Sequence, residues 1–380
     1  MLKLGVITPR SDCFPRLSRN FLDSVKQGLG TALNNIDLHV QAGNTMSRER
    51  DVCSAIQQLI LEQEVELIVL PLNPASLIDL SRLIRDEGVP VVVCTLGENL
   101  IPNSAENELT FINSFHLWQC GWMLGYQAVK RFGRRVTLAC SFNDGGYGIS
   151  AAVDFGVDSA GGRLVNTLVS RRRVQEDRPF VDLGKLIEVE TDVIVVNYSG
   201  QEAVEFFQTV GNCPDLNLIP LMSFPFGVEP DVMQKVGGMT KDVMSISTWD
   251  KTAHSAQSYL GACASAMKQR PNPYSLIAYE SGMLIAEALS VSETEGVAFN
   301  NALRCCRMNG PRGGTSFLPN NPVAESRLEF TLSCTQQGTE TDSYNHSQEH
   351  LQLPAICYQQ MNELSQSEEY PGWINPYLIV

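Results

Sequence analysis

Short apolar runs alternate with amphipathic stretches from the first residues onward. Residues 2–8, LKLGVIT, form a β-like run, and residues 18–33 place Phe21, Leu22, Val25, Leu29, Ala32 and Leu33 at helical spacing. Residues 38–42 return to a strand. The next cycle predicts helix 47–63, strand 66–70, helix 75–85 and strand 89–95. Strand and helix in this rhythm mean βαβ units and a parallel sheet with helices on both faces. The β runs are rich in Val, Ile and Leu, as strands buried on both sides require.

After a polar stretch, 102–108, the alternation restarts. It predicts helix 116–132, strand 135–141, helix 148–160, strand 163–169, helix 180–189, strand 192–197, helix 201–210, strand 217–222, helix 231–236 and strand 243–247. Helices 253–268, 275–290 and 297–305 come too late to wrap this second sheet, so the chain is expected to cross back near Thr248. The predicted fold is α/β: two doubly wound, Rossmann-like lobes joined by a multi-crossing hinge. The first lobe takes 1–113 plus 249–325, and the second takes 114–248 plus 326–380. Residues 336–352 are polar and read as a loop or hairpin extension, and 354–359 read as a last strand. The segment from Tyr370 to the end has too many prolines for a helix.

Composition narrows the function. Lys+Arg 28 against Asp+Glu 42 gives a net charge of −14, which opposes direct nucleic-acid binding because phosphate contacts need a clustered cationic face. Apolar runs such as 89–94 fall far short of the ~18 residues of a membrane-spanning helix. The start, MLKLGVITPR, enters a strand directly and lacks the pattern of a secretory leader. Eleven cysteines follow no repeated spacing and include no C-x-x-C, which points to buried thiols in a reducing compartment. The expectation is a cytoplasmic protein, with a periplasmic one whose leader was removed as the alternative. A chain of this length buries a core without a metal or cofactor as a staple, and none is predicted.

Motifs that suggest catalysis fail on context. His346-Ser-Gln-Glu349-His350 matches H-x-x-E-H, but a zinc site of that kind needs an apolar-faced helix and a third ligand downstream. Asn143-Asp-Gly-Gly-Tyr-Gly148 links a strand to a helix without the G-K-[ST] of a phosphate loop or the G-x-G-x-x-G of a dinucleotide fold. There is no G-x-S-x-G, and no nucleophile, base and acid combine without arbitrary choice. No catalytic residue and no metal ligand is assigned. Arg171-Arg172-Arg173 reads as a solvated loop, with a protein-partner surface as the alternative.

The remaining candidates sit after strands, where open α/β sheets bind ligands. Asn73 and Ser76 follow strand 66–70, Thr95 ends strand 89–95, Tyr147 follows strand 135–141, Tyr198 follows strand 192–197, and Phe224 follows strand 217–222. Hydroxyls, a helix N-terminus and aromatic walls together suit a small polar solute. Ser76 also reads as a helix cap.

The chain resembles the type I periplasmic binding protein superfamily, in its branched-chain amino-acid, amide and urea-binding group. The resemblance is carried by LGVITP, GVPVVVCT, RRVTLACSFNDGGYGISAAVDFGVDSAGGRLV, DVIVVNYSGQEAVEFF, the long segment beginning ISTWDK, and NGPRGGTSFLPNNPVAESRLEFTL. PNN-x(5)-R and the terminal WINPYLIV look more like the amide and urea branch. The resemblance implies the type I periplasmic-binding-protein fold, a solute held between lobes, and ligand contacts from Ser76, Thr95 and Tyr147. Amino-acid binders carry an acid after the strand equivalent to 217–222, whereas this chain has Ser223-Phe-Pro-Phe226, which favours a neutral amide or urea-like solute over an ammonium. Within the branch it looks most like the cytosolic amide-sensing negative regulators of aliphatic amidase operons. That implies an RNA-binding antiterminator protein as partner, and it leaves homo-oligomer formation open. The alternative is the solute receptor of an ABC-type amide, urea or branched-chain amino acid uptake system.

Overall fold

In the computed structural model, which describes residues 1–9, 16–43, 49–72, 76–101, 103, 107–141, 146–170, 181–237, 242–317, 329–335 and 346–366, strand and helix alternate through most of the chain. The first elements are β1 (Leu2–Pro9), α1 (Leu17–Leu29), β2 (Ile36–Gly43), α2 (Glu49–Gln63), β3 (Leu67–Pro71), α3 (Leu77–Glu87), β4 (Val91–Thr95) and β5 (Thr110–Ser114). There follow α4 (Leu117–Phe132), β6 (Arg135–Cys140), α5 (Gly146–Ser159), β7 (Arg163–Val169), α6 (Leu183–Ile187), β8 (Val193–Asn197), α7 (Gly200–Gly211), β9 (Leu221–Ser223), α8 (Pro230–Val236) and β10 (Val243–Ser247). The chain closes with α9 (Gln257–Ala262), α10 (Pro273–Glu295), α11 (Phe299–Cys305), β11 (Met308–Gly310), β12 (Gly313–Thr315), β13 (Glu329–Thr335), β14 (His346–Gln352) and α12 (Ala355–Ser365).

Two compact units result. Met1–His116, Trp249–Ser326 and Met361–Val380 form the first, and Leu117–Thr248 with Arg327–Gln360 form the second. The sequence expects crossings after 113, 248 and 325; this division sets them after 116, 248 and 326, with a fourth after 360.

The first unit's sheet has the order β2-β1-β3-β4-β5, all parallel. Every residue of β3 and β4 is buried, as expected of strands covered on both faces, whereas the edge strand β2 is buried only at its two ends. Ile7, Ile56, Leu59, Ile68 and Leu80 build one core cluster. Each such side chain contributes roughly 1.5–3 kcal/mol by leaving water. On another part of this unit α10 lies against α1 at Gly28 and Gly282: a Cβ on Gly28 would stand 2.0 Å from the Tyr279 carbonyl oxygen, and one on Gly282 2.4 Å from that of Val25.

The second unit repeats the order as β7-β6-β8-β9-β10 and extends it through antiparallel β13 and β14. All of β8 is buried, and Val196, Phe206, Phe207, Leu221 and Val243 belong to its core. No helix among the described residues is long and apolar enough to cross a membrane.

Three predicted elements need correction, and one strand was not predicted. β5, sequence TFINS, is missing from the reading because Thr110, Asn113 and Ser114 dilute a run of only five residues. The strand expected at 217–222 shrinks to Leu221–Ser223, since Pro214 starts a 3-10 turn and Pro220 has no N–H for a ladder bond. The helix expected at 253–268 breaks into a 3-10 turn, α9 and a π-helical turn, Cys263–Met267. The strand expected at 354–359 is the start of α12, where Cys357, Met361 and Ser365 are buried at helical spacing. Residues 346–350 of the H-x-x-E-H match lie on β14, whose period of two does not set i and i+4 side chains on a helical face.

Candidate functional site

A sheet of order 2-1-3-4-5 binds ligands outside the carboxyl ends of its strands, near the point where strand order reverses. In the first unit that edge carries the ends of β1, β3 and β4. Thr95 is the last residue of β4 and is fully buried; its Oγ1 accepts a hydrogen bond from the Gly97 N–H at 3.1 Å. The Thr95 O–H is then left to donate. Ser76 occupies the N-cap of α3, yet its hydroxyl makes no capping bond to that helix. Ser76 is thus at the cap position without capping through its hydroxyl, and the N-terminal amides of α3 favour an anionic or carbonyl oxygen. β3 and β4 are adjacent, with Pro71 opposite Cys94; Thr95 ends β4, and Ser76 opens the helix that follows β3. Asn73 lies outside the described residues.

Cys94, one residue before Thr95, is committed to packing. Its Sγ lies 3.2 Å from Ser281 Oγ, and burial pushes its thiol up to about 12. It is therefore not a nucleophile near pH 7.

In the second unit the equivalent edge is formed by β6, β8 and β9. Tyr198 follows β8 and is buried, its ring stacked on Phe206 at 4.6 Å between centroids and its hydroxyl bonded to that of Ser170. Phe224 follows β9 with its backbone N–H bonded to Val196 O at 3.0 Å and its ring against Gly121. Tyr147 stands in the first turn of α5, and its side chain lies outside the described residues.

Sequence reading missed Glu202, in the first turn of α7, whose carboxylate accepts a bond from the Ser141 hydroxyl just past β6. The signal was present as Ser199-Gly-Gln-Glu202, the spacing of a capping box. β9 and the residues directly after it, LMSFPFG at 221–227, carry no acidic side chain.

Sequence reading also missed a buried polar cluster in the first unit. Arg312, in the turn between β11 and β12, donates from Nε and Nη2 to the Glu280 carboxylate at 2.9 and 2.6 Å. Its Nη1 donates to Ser114 O at 2.7 Å and its Nη2 to Asn113 Oδ1 at 2.8 Å. Beside it His116, with φ of 61°, is held down to about 3, first by burial and then by the Arg312 charge, so it is neutral. Nothing in local spacing links residues 113, 280 and 312.

Among the described residues no group of three His, Cys, Asp or Glu side chains could hold a metal ion.

The family described as periplasmic binding protein matches residues 2–331. No curated protein matches the sequence. Among solved structures, the chain is similar to an ABC transporter substrate-binding protein from Sphaerobacter thermophilus, with 19% identity, TM-score 0.74, and coverage of 92% of this chain and 98% of that one. It is also similar to an ABC transporter solute-binding protein from R. palustris in complex with benzoate, with 15% identity, TM-score 0.68, and coverage of 91% and 95%. A third is the branched-chain amino acid transporter substrate-binding protein LivJ from Streptococcus pneumoniae in complex with isoleucine, with 15% identity, TM-score 0.65, and coverage of 92% and 100%. At these identities the likeness concerns the fold.

Proposed function

Because the chain belongs to the periplasmic binding protein family, whose members bind ligands rather than catalyse, we propose that it is the solute receptor of an ABC-type uptake system for a small molecule that offers a carbonyl or carboxylate oxygen and carries no ammonium group. What carries this reading is the place of two hydroxyls in the sheet: Thr95 ends β4 with its Oγ1 accepting from Gly97 and its O–H left to donate, and Ser76 opens α3, the helix that follows the neighbouring strand β3, without a capping bond. Two donors and a helix N-terminus suit an acceptor oxygen. The lack of an acid in residues 224–227, directly after β9, argues against an α-amino acid, because a buried ammonium without a counter-charge is costly. Amides, ureas and simple carboxylates fit; the benzoate-binding relative has a ligand of this kind.

Isothermal titration of acetamide, urea, benzoate and isoleucine tests the ligand class. Binding of an amide, urea or benzoate with rejection of isoleucine supports it, and preference for isoleucine contradicts it.

A second reading rests on cysteine burial: seven of the ten described cysteines are buried, Cys94, Cys120, Cys140, Cys213, Cys263, Cys306 and Cys357. Such usage suits a reducing compartment. It favours a cytosolic amide sensor of the amidase-regulator kind, in which ligand changes affinity for an RNA-binding antiterminator protein. A ligand can shift that balance only through its differential affinity for the two states. Fractionation of the native cells decides between them: recovery with periplasmic markers selects the receptor, and recovery with cytosolic markers selects the sensor.

A further inference from the structure

The loop that carries Thr95 rests on a turn whose position is set by residues remote in sequence. Gly97 has φ of 71°, and a Cβ there would stand 2.2 Å from Ser114 Oγ and 3.1 Å from the His116 nitrogen, so the 95–97 backbone lies directly on the Ser114–His116 turn. Thr95 O accepts from the Phe115 N–H at 3.0 Å, and Ser114 Oγ accepts from the His116 N–H at 3.0 Å. The far side of the same turn is gripped by Arg312, through Ser114 O and Asn113 Oδ1, with its guanidinium 5.9 Å from the centre of the Phe115 ring. Glu280 in turn fixes Arg312, and its side chain is wholly buried against 10% exposure for Arg312. The bidentate fork restrains orientation as well as distance, which a point charge could not do.

We propose that Arg312 and Glu280 are positioning residues for solute binding: without touching the solute, they fix the Ser114–His116 turn on which the Thr95–Gly97 loop sits, and so set the direction in which Thr95 presents its hydroxyl. The inference rests on the reading of Thr95 as a solute contact. A buried ion pair is weak evidence for net stability, whereas this one holds three chain segments in a single register at the edge of the candidate site.

The test is a double-mutant cycle in the full chain, pairing Arg312→Lys with Thr95→Val, and separately Glu280→Gln with Thr95→Val. Affinity is measured well below each variant's melting point, with whichever of acetamide, urea or benzoate binds the wild type tightest. Arg312→Lys keeps the charge and loses the fork; Glu280→Gln keeps the shape and is the second route should the first variant not fold. The expected result is a dissociation constant about 10- to 100-fold weaker for each single variant. In each double variant the loss should be no larger than that of Thr95→Val alone, because both changes remove the same contact. A purely structural role would lower the melting point and leave the affinity of the folded protein unchanged. Wild-type affinity in Arg312→Lys and Glu280→Gln beside a weakened Thr95→Val overturns the positioning role alone, as do fully additive losses. Wild-type affinity in Thr95→Val overturns the reading of the site as well.

Discussion

Gly28 and Gly282 let α1 and α10 approach so closely that a single methyl group on either would strike the other helix's backbone, at 2.0 and 2.4 Å from carbonyl oxygens of Tyr279 and Val25. Backbone cannot give way as a flexible side chain does. Gly28→Ala and Gly282→Ala are each expected to cost about 2 kcal/mol or more through overpacking. Gly261 in α9 has nothing within 4 Å of its Cβ position, and Gly261→Ala should instead stabilise by about 0.5–1 kcal/mol. Urea unfolding midpoints of the three variants check the contrast; a uniform gain from all three would show that the helices are not packed this closely.

His116 makes stability depend on pH with a definite sign. Burial, reinforced by Arg312, holds its folded pKa at about 3, against about 6.5 in the unfolded chain. Between those values the unfolded state binds the extra proton, so this contribution is fully present above pH 6.5. It is lost at up to about 1.4 kcal/mol per pH unit as pH falls toward 3. His116→Asn keeps a residue that tolerates positive φ and removes the proton site. Denaturant unfolding at pH 7.5, 6 and 5 should show the variant gaining on the wild type at each step downward, and parallel curves would contradict this.

Tyr198 offers a way to separate packing from ligand contact. Its hydroxyl is already paired with Ser170 and its ring with Phe206, inside the second unit's core cluster. Tyr198→Phe leaves the Ser170 hydroxyl without this partner, at an expected stability cost of about 1 kcal/mol. Solute affinity should stay within a factor of about two. A large affinity loss at unchanged stability would mean that Tyr198 spends its hydroxyl on the ligand.

What the sequence displayed and what it hid follow from the range of the forces involved. β3, β4 and β8 were legible because strands buried on both faces must be apolar throughout, and their helices because one face of each must be. β5 was hidden because its polar side chains serve tertiary contacts: Asn113 Oδ1 accepts from Arg312 and Ser114 Oγ from the His116 N–H. The segment PAICYQ, residues 354–359, read as a strand over six residues, but the burial of Cys357, Met361 and Ser365 shows a helical period that only a longer window contains. Thr95 was visible as a small hydroxyl closing an apolar run, and Ser76 as one opening a helix. The orientation of Tyr198 was not, because stacking on Phe206 is decided by tertiary packing. The Arg312–Glu280 pair was beyond any local pattern, since the two residues meet only once α10 and the β11–β12 turn are both in place.

The central claim is that the edge formed by β3, β4 and the start of α3 receives the solute, with Thr95 as a donor. The most direct measurement is the dissociation constant of wild type and Thr95→Val for the solute of the amide, urea and benzoate series that raises the melting point most, since a ligand that binds only the folded state stabilises it. Valine keeps the shape and removes one hydroxyl, a loss of about 1–3 kcal/mol for a buried hydrogen bond, which is roughly 5- to 150-fold in affinity. That weakening is expected with the melting point of the unliganded protein within a few degrees of wild type. Equal affinity in the two proteins, or no stabilisation by any member of the series, would contradict it.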